Sequence, residues 1–338
     1  MSGWARALLV AAVLGPASAL AAPAAPPLQV TPRYVPREHP PFHLPGAQPQ
    51  ADSVGYFYVA FLQDTVMAGA GASIVQAEPK VSTTDYHSLA EIAVESADNK
   101  QIIEIGWNID PGVNGADAAP HLFSFHWIDG VGTCYNGCGW VQVSATHMPG
   151  MAVEPGPTPH TFQIEHRADA RWWLTYDGDD MGYYPDTEWT GRYTHGDFTQ
   201  WFGEVAAGSE PMPCTEMGTG VFGSAAGAAS YANVYTIGSG SEHIPAALQQ
   251  ATVTLPTAYA PGQRSATGFS FGGPGVPATS CAYYGTPSIP DNPVPIGADT
   301  TVVTTTGGGC CEAGGGANGA LLGAGVVMLA LRRQRRRP

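Results

Sequence analysis

Residues 101–109, QIIEIGWNI, alternate their side chains in a way that decides the fold. Ile103, Ile105, Trp107 and Ile109 make one apolar face, and Ile102, Glu104, Gly106 and Asn108 lie on the other, the two-residue period of a β-strand. Similar β-branched and aromatic runs recur in GYFYVAFL (55–62), HLFSFHWI (121–128), GWVQVSA (139–145), HTFQIEH (160–166), RWWLTYD (171–177), YANVYTI (231–237) and ATVTL (251–255). Gly, Pro, Asn or Asp turns separate most of them. Ser88 to Ser96 reads as one short helix. Many strands without long helical patterns predict an all-β sandwich or barrel, and 43 Gly and 30 Pro in 338 residues argue against an all-helical chain.

The composition, 44% hydrophobic and 12% charged, supports a substantial core and excludes a disordered acidic tail or a coiled coil. The formal charge is −14, and between residues 22 and 309 there are 8 Lys and Arg against 27 Asp and Glu, a balance of −19. A body of that sign repels phosphate backbones, so nucleic acid is excluded as a partner class, and the acidity suits work at low pH.

Both ends read as addresses. Residues 1–21 have a charged start at Arg6, an apolar run from Ala7 to Leu14 and a small-residue cleavage site at Ala19-Leu20-Ala21, the pattern of an export signal. Residues 22–51 are a proline-rich segment, 52–283 the body and 284–309 an extended linker. In residues 310–338, Cys310 and Cys311 precede 19 uncharged residues (313–331) and an Arg cluster. Those 19 residues nearly match a bilayer core as a helix, with the arginines held on the cytoplasmic side. This order resembles the MYXO-CTERM class of bacterial sorting tails. It implies a C-terminal anchor in the membrane, read by sorting machinery, and a body exported to the cell surface or secreted.

In an exported chain, six Cys are disulfide candidates first. Cys134 and Cys138 flank a three-residue loop, and Cys214 and Cys281 are the remaining pair in the body. No HExxH pair supplements Cys134 and Cys138 for zinc, and neither metal nor cofactor is expected. Two further motifs mislead. Gly268-Phe269-Ser270-Phe271-Gly272 matches a nucleophile elbow, yet Gly272-Gly273-Pro274-Gly275 forbids the helix that must follow, and every His precedes Ser270. Gly218 to Gly223 matches a dinucleotide-binding turn, but no βαβ pattern surrounds it.

Glu104 stands among Ile102, Ile103 and Ile105, where burial of a carboxyl favours its protonated form and suits it to proton transfer. Gly106, beside it on the same face, leaves room for a substrate backbone. TQWFGEVAA offers a second case: Gln200, Phe202 and Glu204 share one face and Trp201, Gly203 and Val205 the other. Two such glutamates on neighbouring strands could share a cleft. Each could equally be the solvent-facing member of an amphipathic strand.

Read as one string, residues 102–142 (IIEIGWNIDPGVNGADAAPHLFSFHWIDGVGTCYNGCGWVQ) closely resemble the core of the neprosin family of proline-directed glutamic endopeptidases. WWLTYDGDDMGYYP, WFGEV, TEMGTGVFG, ASYANVYTI and FSFGGPGVPATSC continue the likeness in order, from about Asp52 to Ala282. The resemblance implies a two-layer antiparallel β-sandwich, like those of concanavalin and glutamic peptidases, with Glu104 and Glu204 as catalytic dyad and peptides rich in proline as substrates. One ionised glutamate would activate water while the protonated one polarises the scissile carbonyl and then protonates the leaving amine. For a prolyl pocket the candidates are Trp107, Trp127, Tyr135 and Phe202, and for oxyanion donors Asn108 and Gln142. The family pairs its terminal Cys with one before the last strand, where this chain has Ala258-Tyr259-Ala260, so Cys281 is expected to bond Cys214. Plant members carry a sizeable pro-domain, against about thirty residues here between the signal and Asp52. Two other functions fit an aromatic cleft with two carboxylates: a sandwich that only binds peptide or carbohydrate, and a glycosidase.

Overall fold

A computed structural model of the chain describes residues 54–285 except 116, 209–212, 250–251 and 277–280. The export signal, the proline-rich segment and the tail with Cys310 and Cys311 lie outside the described residues. Among the described residues no helix is long and apolar enough to cross a membrane.

Among the described residues sixteen strands follow one another: β1 Gly55–Met67, β2 Gly69–Val75, β3 Asp85–Glu95, β4 Ile102–Ile109, β5 His121–Ile128, β6 Val131–Gly132, β7 Val141–Gln142, β8 Pro159–Arg167, β9 Arg171–Tyr176, β10 Asp179–Pro185, β11 Gly196–Ala207, β12 Ala229–Ile237, β13 His243–Pro245, β14 Thr252–Val253, β15 Ala260–Ser265 and β16 Gly268–Gly272. They make two antiparallel sheets. The first has the order β14-β1-β11-β3-β4-β5-β6 and the second β15-β16-β12-β2-β8-β9-β10-β7, with β13 on β12. The only helical turns described are α1, Pro111–Asn114, capped by the Asp110 carboxylate, and a short 3₁₀ turn at Asp186–Glu188.

The sheets bury one face of each against the other. Ala90, Ile92 and Val94 of β3, Ile103, Ile105 and Trp107 of β4, and Trp201 and Val205 of β11 meet Phe162, Ile164, Trp172, Leu174, Tyr231 and Phe271 of the second sheet in a single core. Trp107 belongs to this core, with its indole N–H donated to the Val75 carbonyl at 3.0 Å, so it lines no pocket on the Glu104 face.

Ser88–Ser96 is not a helix: residues 88–95 are the C-terminal part of β3, and Ser96 lies just past its end. The stretch is buried on both faces, which removes the polar alternation that marks a half-exposed strand and leaves an apolar run that helix spacing also fits. Both body disulfides, Cys134–Cys138 and Cys214–Cys281, are formed, the second closing a separation of 67 residues. Ser270 sits inside β16 with its hydroxyl donated to the Gly223 carbonyl at 2.7 Å, in no elbow.

Candidate active site

The outer face of the first sheet, turned away from the core, carries the acidic groups. A second apolar cluster covers it: Tyr58, Ala60, Leu89, Ala93, Ile102, Phe123, Phe125, Trp127, Tyr135 and Phe202. Strand alternation puts Glu104 of β4 and Glu204 of β11 on this face, because their neighbours Ile103, Ile105 and Val205 point into the core. β3 runs between the two strands. Glu204 lies opposite Leu89 and Glu104 opposite Ala93, so the two glutamates are diagonally offset across three strands. With strands about 4.8 Å apart and about 3.4 Å per residue, their Cα atoms are roughly 17 Å apart.

Each glutamate has its own donors. Glu204, fully buried, receives the His87 Nε2 at 2.8 Å, and the Tyr58 hydroxyl also hydrogen-bonds it. His87 Nδ1 is 3.4 Å from the Asp110 carboxylate, a distance at which the contact acts as an ion pair rather than an aligned hydrogen bond. Burial alone would lower the His87 pKa, but the close Asp110 carboxylate, the bond to Glu204 and the charges of both outweigh that and hold it at about 9. His87 is therefore an imidazolium through the neutral range. Burial, and then the Glu204 charge, push the Tyr58 phenol well above its usual pKa, so it remains a donor. Glu104, 5% exposed, accepts the Trp127 indole N–H at 3.1 Å.

Of the pocket candidates, Trp127, Tyr135 and Phe202 share this face. Phe202 meets Tyr58 edge-on at 5.9 Å, and Tyr135, held in the Cys134–Cys138 loop, packs on Phe123 and Phe125. Asn108 is also here, its carbonyl oxygen accepting from the Asn114 amide at 2.9 Å. Gln142 is not. It lies on β7 at the end of the other sheet, where its amide donates to the Ser144 and His147 carbonyls and its oxygen accepts from Trp140. It cannot be an oxyanion donor for Glu104. Gly106 also has a different role from the one expected. A Cβ there would come within 2.2 Å of the Ala90 carbonyl oxygen and 2.8 Å of the Glu91 Cα and Cβ, so the glycine lets β3 approach and leaves no open space for a substrate.

Sequence reasoning missed His87, Glu91 and Asp110. His87, Leu89, Glu91 and Ala93 would have shown the two-residue period had β3 been read as a strand. Among the described residues no group of three or more His, Cys, Asp or Glu is arranged to hold a metal ion.

A β-sandwich that gathers buried glutamates on one sheet face, two of them beside their own donors, suits a glutamic peptidase. The chain belongs to the neprosin family, whose model matches residues 84–274. No curated protein matches the sequence. Similar solved structures include Scytalido-glutamic peptidase with a peptide-based transition-state analogue, 13% identical with a TM-score of 0.36 over 65% of this chain and 98% of that one. SCP-B, a member of the eqolisin peptidases in complex with an Ala-Ile-His tripeptide, is 9% identical with a TM-score of 0.36 over 65% and 98%. A glycoside hydrolase family 16 endo-glucanase from Bacteroides ovatus is 12% identical with a TM-score of 0.28 over 48% and 70%.

Proposed function

We propose that this protein is an exported endopeptidase that cuts peptide bonds after proline at acidic pH, with Glu104 and Glu204 as its dyad. The observation that carries the division of labour is the His87 imidazolium 2.8 Å from Glu204. A cation at that distance favours the ionised carboxylate, which makes Glu204 the base. Glu204 takes a proton from water as the oxygen attacks the scissile carbonyl. Glu104, protonated, gives its proton to the amine as the carbon–nitrogen bond breaks, and solvent returns both carboxyls to their starting states. The reaction then needs one carboxyl charged and the other neutral, so the rate follows a bell-shaped curve centred below neutrality.

The preference for proline rests on the aromatic surface beside Glu104. Trp127 and Tyr135, 3% and 6% exposed, would stack on a pyrrolidine, which brings no N–H of its own to satisfy, while Phe202 is fully buried against Tyr58 in the same cluster. The signal at residues 1–21 and the tail at 310–338 would place the body outside the cytoplasm on a membrane anchor; detection in the soluble cytoplasmic fraction of the producing cell would contradict that.

The cleavage rule is tested by mass spectrometry of products from a peptide library incubated with residues 22–309 between pH 3 and 7. Cuts clustered after proline support the reading. Cuts spread evenly over residue types would remove the proline preference, and release of reducing sugar from glucans without any peptide cleavage would replace the reaction itself.

A further inference from the structure

Between Glu104 and Glu204 stands a third carboxyl that the dyad does not use. Glu91 of β3 is opposite Phe202 on one side and Gly106 on the other, on the same outer face, and it is 1% exposed. Strand spacing puts its Cα roughly 8 Å from each dyad Cα, at the middle of the diagonal that joins them. Any peptide group held between Glu204 and Glu104 therefore lies over Glu91.

Its surroundings differ from those of its neighbours. Glu204 has the His87 imidazolium and Glu104 the Trp127 indole N–H, but Glu91 Oε1 is buried with no hydrogen-bond partner among the described residues. The titratable groups that face it are Glu95 and His87 on its own strand, Glu104 from β4, Glu204 from β11, Tyr58 from β1 and Tyr135 from the disulfide loop. The one cation in that set is paired with Glu204. Tyr231, from the other sheet, places its hydroxyl between the backbone carbonyls of Glu91, at 3.0 Å, and Phe202, at 2.7 Å, and makes no hydrogen bond to the Glu91 carboxyl. A buried carboxyl with an unpartnered oxygen, ringed by other carboxyls, is more stable as the neutral acid. Burial first, then the charges of Glu104, Glu204 and Glu95, push it well above the usual carboxylate range.

We propose that Glu91 is a third catalytic glutamate of this site, a neutral carboxylic acid that donates a hydrogen bond to the carbonyl oxygen of the scissile bond as negative charge develops there. The inference rests on the peptidase reading above. It relieves Glu104 of one of two tasks: Glu91 holds the carbonyl oxygen without giving up its proton, and Glu104 delivers its proton to the amine. Such a donor in a water-excluded site acts most strongly in the transition state, so its loss appears in kcat rather than KM.

The test compares wild type, Glu91→Gln and Glu91→Leu on one peptide across pH 3 to 9, with thermal unfolding of each. Gln keeps a donor and cannot ionise, so it should retain kcat within a few-fold and carry activity further into the alkaline range. Leu removes the donor and should lower kcat by about 10²-fold with KM nearly unchanged. In protein labelled with ¹³C at the Glu carboxyls, the resonance that disappears in Glu91→Gln should be that of a protonated acid throughout pH 3 to 7. A Glu91→Leu variant as active as wild type, or a Glu91 resonance already ionised at pH 5, overturns the proposal. Wild type that cleaves no peptide would overturn the peptidase reading and this role together, whereas an active wild type with an indifferent Leu variant refutes only the role of Glu91.

Discussion

Replacing His87 by Gln removes the buried cation from a site that holds Asp110 and Glu204 beside it. The imidazole is 5% exposed, with Nε2 2.8 Å from Glu204 and Nδ1 3.4 Å from Asp110. Raising a histidine from 6.5 to about 9 on folding corresponds to on the order of 3 kcal/mol of pH-dependent stability. The folded pKa lies above the unfolded one. That stability is thus fully present below about pH 6.5 and is lost as pH climbs through about 9. Urea unfolding of wild type and His87→Gln at intervals from pH 5 to 10 reads it directly. Wild type should lose on the order of 3 kcal/mol more than the variant over that range, and the gap between the two proteins should be widest at the acidic end. If Glu204 is the base proposed above, turnover of the variant should also fall, because Glu204 loses the cation 2.8 Å away. Parallel stability curves for the two proteins would refute the claim that His87 is a buried imidazolium in the folded state.

Gly106→Ala forces a Cβ to within 2.2 Å of the Ala90 carbonyl oxygen. It should cost about 2 kcal/mol or more and push Glu91 aside, so thermal unfolding and peptide turnover should fall together; an unchanged Tm would contradict the packing described. The bond between Cys214 and Cys281 closes a separation of 67 residues. Replacing both by Ser should lower stability by about 4 kcal/mol and Tm by roughly 10 °C in a scan of the oxidised proteins, and a shift below about 2 °C would contradict it.

Much of this architecture was legible in single strands. QIIEIGWNI alternates cleanly because one side meets the core and the other carries Glu104, Gly106 and Asn108, and TQWFGEVAA does the same for Glu204. β3 was not legible, since Leu89 and Ala93 on its outer face are as apolar as Ala90 and Ile92 on its inner one. Losing β3 hid His87 and Glu91, and hid the fact that the strands of Glu104 and Glu204 are not adjacent. β2, GAGASIV, escaped for a related reason: its small residues carry little β-propensity, and the strand forms because it is paired on both sides, with β8 and β12. Gln142 looked close to the site because it ends the family-like string, yet chain proximity says nothing about which sheet a short edge strand joins. Trp107 was named for its neighbour Glu104, although alternation within the same strand sends it to the opposite face.

The most direct test of the central claim is kcat/KM for wild type, Glu104→Gln and Glu204→Gln on one proline-containing peptide at the wild-type pH optimum, with Tm measured for each. Losses of at least about 10³-fold in both variants at unchanged Tm are the predicted result. A variant that still turns over within about tenfold of wild type would contradict hydrolysis by the Glu104 and Glu204 dyad.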